Sequence, residues 1–304
     1  MGEAKRRRLT LMKSACICGS SRRAVECCYR DGEWCRAPAD LGLRRLPPGT
    51  TVAKCYMREL GSCEGGISRE HLISEGVIRI LKSEGDFSVS GLPWLEAGET
   101  KILEPGNLTA NCLCRRHNSA LSPLDDAAVR FFAALRSGLE REAYSGQALI
   151  SGHDIERWLL KTAKALAASR NLTHGGERLS GVFASDIGVV DLLDDPGRWP
   201  ENAGLYCVMP EGATTENHLR FQLQPLTNNR GEISGLEVNI MGIRFLLLWE
   251  ALDLARNPDL QRAKYRPGAI KVSYLATTFE IVLSWKDRGV RHETLNLQFM
   301  RPAT

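Results

Sequence analysis

The placement of its cysteines constrains this chain more than any other feature. Ten occur in 304 residues, and Cys16, Cys18, Cys27, Cys28 and Cys35 fall within twenty of them. Cys55 and Cys63 follow, then Cys112 and Cys114, and only Cys207 lies in the last 190 residues. A disulfide framework belongs to short secreted chains. This chain is long enough for about two domains. Its short N-terminal apolar run carries Lys13, which argues against a signal peptide. The most apolar segment, Ile240 to Ala255, is broken by Arg244 and Glu250, so no membrane span is expected. In a cytoplasmic setting, clustered cysteines read as metal ligands.

Residues 16–28 read Cys-Ile-Cys-Gly-Ser-Ser-Arg-Arg-Ala-Val-Glu-Cys-Cys. Two close thiol pairs flank a Gly-Ser turn. Four thiolates, Cys16, Cys18, Cys27 and Cys28, can close a tetrahedral zinc site with no open position. So short a segment cannot build a core, so zinc must supply its folding energy. Cys35 is expected to be a spare buried thiol. The segment resembles the SEC-C motif, with Ser21 in place of its third-position glycine and a less basic Ala24-Val25-Glu26. The resemblance implies a recruitment module with a protein partner, or an aid to DNA binding, and not a catalyst.

Three further pieces follow in order. Cys55 and Cys63 are separated by seven residues; then comes Ile67-Ser68-Arg69-Glu70-His71-Leu72-Ile73; Asn111-Cys112-Leu113-Cys114-Arg115-Arg116-His117-Asn118 closes the set. The arrangement resembles HNH endonucleases, the ββα-metal nucleases, over residues 50–137. It is nearest to the recombination endonuclease VII group, in which asparagine directly follows the last zinc pair. The resemblance implies a small ββα unit stapled by a second zinc at Cys55, Cys63, Cys114 and His117. Cys112 is the alternative to His117; the x-x spacing and the adjoining Asn118 favour His117. His71 would activate water, since imidazole titrates near neutrality. Glu70 and Asn118 would hold Mg²⁺ or Mn²⁺ through hard oxygens. Asn107 is a weaker alternative to Asn118. The chain departs from the family in Glu for the commoner Asp before the histidine, and in His117 where many relatives have cysteine. Its loop between His71 and Asn118 is also long, with an extra hairpin from Phe87 to Pro105 and Trp94 near its turn.

Charge says less than the cysteines do. Residues 1–36 hold nine Lys/Arg and four Asp/Glu, densest at Lys5 to Arg8, and the rest of the chain sums to −1. A four-thiolate zinc site carries −2 and a three-thiolate, one-histidine site −1, which brings the net +4 to about +1. DNA binding must therefore rest on local cations, here Arg115 and Arg116 beside the expected site.

Beyond the motifs, Ser122-Pro123-Leu124-Asp125-Asp126 reads as a helix start, with both aspartates complementing the dipole and Gly138 ending the helix. A second helix is expected from His153 to Ser169, with Arg157, Lys161 and Lys164 as a solvated ridge. His153 and His174 are given no role. Strand-like runs cover Gly204–Pro210, Leu219–Pro225, Leu236–Trp249, Ile270–Leu275, Thr278–Trp285 and Glu293–Phe299, the last two as a hairpin. Trp249, Trp285 and Phe299 read as core or edge residues.

The expected fold class is α+β, in three parts. Residues 1–36 form a basic arm and zinc motif, 37–140 an HNH ββα-metal core, and 141–304 an α+β domain with a mainly antiparallel sheet that selects substrate or regulates. The function implied by the resemblance is cleavage of double-stranded DNA, in antiphage defence or restriction. Two other readings are a non-catalytic zinc-stabilised adaptor and an RNA-directed nuclease.

Overall fold

The computed structural model describes residues 13–82, 88–90, 95, 99–102, 104–140, 146–170, 172–174, 177–179, 182–184, 188–208, 220–250, 263–274, 277–286 and 292–299. The Lys5–Arg8 arm, Trp94 and the Asp287–Gly289 turn lie outside these residues. The architecture is mixed α+β, with five α-helices among the described residues. None of them is long and apolar enough to cross a membrane.

The N-terminal segment is a single helical turn, α1 (Ala24–Cys27), followed by a hairpin of β1 (Tyr29–Arg30) and β2 (Glu33–Trp34). Asp31 and Gly32 carry the positive φ angles that a tight two-residue hairpin turn requires. Cys35 is exposed, not buried as expected, because the hairpin ends at the surface.

Next come β3 (Ile67–His71), α2 (Glu75–Lys82), the short pair β4 (Ser88–Ser90) and β5 (Lys101–Ile102), β6 (Thr109–Cys114) and α3 (Arg115–Glu140). The antiparallel β4–β5 pair is the hairpin expected between Phe87 and Pro105. β3 and β6 pair antiparallel from Ile67↔Cys114 to His71↔Thr109, with an irregularity between Ser68 and Glu70. α3 begins at Arg115 and encloses Pro123, so this proline lies inside the helix and not in its first turn as its sequence context suggests. Proline cannot donate to the carbonyl four residues back. Here the Ser122 hydroxyl donates to that Ser119 carbonyl instead, at 2.8 Å. Gly138 is likewise inside the helix: a Cβ there would sit 2.8 Å from Phe279, so its smallness serves close packing, not termination.

The remaining elements are β7 (Gly146–Ser151), α4 (Gly152–Ala168), β8 (Thr173–His174), β9 (Glu177–Arg178), α5 (Val189–Asp194), β10 (Gly204–Val208), β11 (Arg220–Thr227), β12 (Ile233–Ile240), β13 (Ile243–Leu248), β14 (Ala263–Tyr265), β15 (Ala269–Tyr274), β16 (Thr277–Ser284) and β17 (Thr294–Phe299). The run read as one strand from Leu236 to Trp249 is two, folded at Met241-Gly242, both at positive φ. A seven-stranded sheet has the order β14-β10-β13-β12-β11-β4-β5, and a four-stranded sheet the order β17-β15-β16-β7. β15–β16 is the hairpin; β17 lies parallel to β15, because the free edge of β16 is occupied by β7. The first sheet is antiparallel apart from β4–β11, while the second mixes both senses.

One main core runs from Leu41 to Leu297 without a break at 140/141. α3 is central to it: Phe131 and Phe132 meet Phe245 edge-on, and Phe132 meets Trp158 of α4 at 5.7 Å. Trp249 is fully buried, with its indole N–H bonded to the Ile233 carbonyl. Trp285 packs edge-on against His153. The side chain of Phe299 lies outside the described residues.

Candidate functional site

Cys55 and Cys63 come from the loop ahead of β3, Cys114 ends β6, and His117 lies in the first turn of α3. The loop is pinned by reciprocal backbone bonds between Thr50 and Cys63, and by Tyr56 N–H to the Cys112 carbonyl. All four donors are at most 1% exposed, and their ligand atoms lie within 4.8 Å of one another. His117 Nδ1 is 3.3 Å from the Cys55 sulfur, 3.2 Å from that of Cys114 and 3.8 Å from that of Cys63. A tetrahedral zinc with Zn–S near 2.3 Å spaces its ligand atoms by roughly 3.3–3.8 Å. With Nδ1 facing the sulfurs, Nε2 carries the hydrogen and donates to Ser62 Oγ at 3.0 Å, fixing the tautomer. Burial, then the neighbouring Arg116, lowers the pKa of His117, which favours the neutral ring that a ligand needs. The group can hold zinc. Cys112 stands outside it: buried in β6, its thiol is pushed up to about 12 by burial and by the Glu70 carboxylate.

The first cluster also assembles. Cys16, Cys18, Cys27 and Cys28 lie within 4.8 Å of one another, with Cys18–Cys27 at 3.7 Å and Cys27–Cys28 at 3.5 Å. Ser20 Oγ and Arg22 approach the Cys27 sulfur at 3.3 Å. Burial raises the Cys18 thiol, but hydrogen bonds from Ser20 and its backbone outweigh this and bring it down to about 6. This cluster can hold zinc as well.

His71 ends β3 and is half-exposed, with Nε2 3.7 Å from the Glu75 carboxylate at the start of α2. Glu75 was not anticipated; it lies four residues on, beyond a turn that sequence alone does not close. Asn118 follows His117, and its Nδ2 donates to Ser68 Oγ on β3 at 3.1 Å. Asn107 is exposed in a short 3-10 turn.

Glu70 is placed differently from the expectation. It is 2% exposed and ion-paired at 2.7 Å with Lys161 of α4. Lys161 also pairs with Asp125, which accepts from the Ser74 hydroxyl. Burial raises the Glu70 pKa, and the Lys161 charge partly opposes that. The expected basic ridge is therefore mostly interior. Arg157 is fully buried, bonding Asp154 and the carbonyls of Ala39 and Leu193. Asp125 serves Lys161 rather than a helix dipole, since α3 starts ten residues earlier. Arg116 is held by the carbonyls of Pro47 and Ser62 and by Glu64. Arg115 remains exposed.

His153 is buried, near Glu156 and accepting from the Lys286 N–H; Glu156 in turn forms a buried bidentate pair with Arg266. Compared with family models, curated proteins and solved structures, the chain matches none.

Proposed function

We propose that this chain hydrolyses phosphodiester bonds in DNA from a ββα-metal centre, with His71 as the base. One juxtaposition supports the reading: an antiparallel β3–β6 pair runs directly into α3, four donors able to hold zinc lie at that junction, and the half-buried His71 and Asn118 lie at the end of β3 and in the first turn of α3. Attack on phosphorus requires water to lose a proton, and a half-exposed imidazole can take it. Glu75 would orient the ring and balance the imidazolium. Zinc at the buried quartet is structural.

A divalent cation, Mg²⁺ or Mn²⁺, supplies neutralisation of charge on the phosphate and leaving oxygen. Glu70 does not fit as its ligand while paired to Lys161; the Glu75 carboxylate lies 3.7 Å from His71, and Asn118 Oδ1 would supply a second hard oxygen. Glu70 instead positions β3 against α4. The N-terminal cluster would serve recruitment of a protein partner, and the C-terminal sheets substrate selection, in cytoplasmic antiphage defence or restriction.

The adaptor reading draws on the same burial of Glu70 and on the commitments of Arg116. Both readings meet one experiment. Wild-type and His71→Ala protein, each shown to carry two zinc ions, are incubated with supercoiled plasmid, linear DNA and matched RNA, with Mg²⁺ or Mn²⁺. Conversion of DNA by wild type, reduced about 10²-fold or more in the variant, is expected. Equal conversion by both removes His71 from the mechanism. DNA held but never cut supports the adaptor, and preferential cutting of RNA the third reading.

A further inference from the structure

A groove of about 1010 Å³ opens along the edge of β6 that does not pair with β3. Its walls are the 53–59 loop and the C-terminal end of α4, and Thr109 to Asn111 form its floor. Four cations line it, Lys54, Arg58, Lys164 and Arg170, against one carboxylate, Glu59. Such an excess of one sign along an open concavity concentrates polyanions.

Three details set it apart from an ordinary solvated face. Lys164 is half-buried, resting over the Phe183 ring at 4.7 Å, and among the described residues it has no hydrogen-bonded or ion-paired partner. Burial lowers its pKa, and the Glu59 charge opposes that. Arg170 occupies the position just past α4 at φ +59, a left-handed conformation normally given to glycine or asparagine. An arginine kept there presents its side chain at the groove at the expense of local strain. Thr109, at the floor, is the register partner of His71 and accepts from Arg69 at 3.1 Å. Paired strands are about 5 Å apart, so the groove ends about one strand width from His71.

We propose that this groove is a phosphate-backbone track that carries a nucleic-acid strand across β6 toward His71. It deepens the nuclease reading and rests on it for its direction, but it assigns DNA contact to Lys54, Arg58, Lys164 and Arg170, where the motif alone had suggested Arg115 and Arg116.

The test uses the full chain in the His71→Ala background, with labelled single-stranded and duplex oligonucleotides followed by anisotropy across a salt series. Lys164→Ala combined with Arg170→Gly should weaken binding about tenfold or more and lower the salt slope by about one to two, since each phosphate contact contributes roughly 0.7–0.9. Arg170→Gly relieves the left-handed strain, so its melting temperature should hold or rise while affinity falls; unfolding cannot then explain the loss. Lys271→Ala, on the four-stranded sheet, is the control and should bind as the parent does. Unchanged affinity and slope in the double variant overturn the track. Binding of polyglutamate, but not DNA, through these residues also overturns it, in favour of an acidic protein partner. The two proposals fail separately: groove-dependent binding with no cleavage by wild type leaves the track standing, and full cleavage with groove variants unimpaired leaves only the nuclease.

Discussion

The two cysteine clusters use similar chemistry in opposite surroundings. Cys16, Cys18, Cys27 and Cys28 share a small cluster of their own with Ile17, Trp34, Leu149 and Val282. They join the main body through the middle of β7 and the end of β16, by Leu149 N–H to the Ile17 carbonyl and by paired bonds between Arg36 and Ser284. Cys55, Cys63 and Cys114 belong to the main core itself. There His117 is gripped on both nitrogens, and α3 carries the site's first turn into the middle of the molecule. One cluster therefore sits in an appendage, whereas the other sits at the junction from which the central helix starts.

The sharpest way to break this contrast is to delete a ligand from each. Cys114→Ser leaves a buried site one donor short beneath β3, β6 and α3. Structural zinc contributes on the order of 10 kcal/mol to folding, comparable to the whole stability of a domain. The variant should lose one zinc and the global melting transition. Cys28→Ser should also lose one zinc yet keep a cooperative transition and most of its circular dichroism. Global unfolding of Cys28→Ser would show that the appendage is integral and erase the distinction.

Both quartets were legible in the sequence because metal ligands lie in short, patterned runs. The geometry also decides between His117 and Cys112, which spacing alone leaves open. The burial of Glu70 was not legible: its partner, Lys161, is ninety-one residues away, and nothing near Glu70 signals an ammonium. Pro123 misled for a local reason. Ser-Pro-x-Asp is a good helix start, and only the Ser122 hydroxyl bond to Ser119 reveals a helix passing through it. The apolar run from Leu236 hid its turn because Met241 occupies a left-handed position without any turn residue but Gly242 to mark it. The groove was hidden because its walls come from two distant segments.

A second test sharpens what supports the core site. Among the described residues the N-terminal cluster has no counterpart to the Glu70–Lys161–Asp125 group behind β3. Lys161→Met would strand a buried carboxylate, with an expected loss of about 3–5 kcal/mol. Burial already raises the Glu70 pKa, and removing the ammonium, which opposes that rise, raises it further. A carboxyl whose folded pKa exceeds its unfolded one stabilises the fold below the unfolded value, and that stability is lost as pH rises through the folded value. The penalty of Lys161→Met, measured by denaturant unfolding against wild type, should therefore be smaller at pH 5 than at pH 8. Glu70→Gln in the same chain should recover part of it and flatten the pH dependence. A penalty independent of pH would mean that Glu70 does not carry the effect.

The smallest expected effects concern one glycine beside each site. Gly19 has φ +84 and Gly65 φ +79, so alanine at either costs about 1–2 kcal/mol in backbone strain. Their surroundings differ. A Cβ at Gly19 meets nothing within 4 Å, while one at Gly65 meets the Arg115 Cβ at 3.0 Å, where β3 and α3 meet. Arg115 also donates its backbone N–H to the Gly66 carbonyl at 3.0 Å, so it cannot retreat without loosening the first turn of α3. Gly19→Ala should thus lower the temperature of zinc release from the first cluster, read with a chromophoric chelator, and barely shift global melting. Gly65→Ala should lower global melting, by more than the strain alone accounts for. The opposite ranking would place the mechanical weight of the fold on the N-terminal cluster, because the two substitutions share their backbone cost and differ only in what each methyl group displaces.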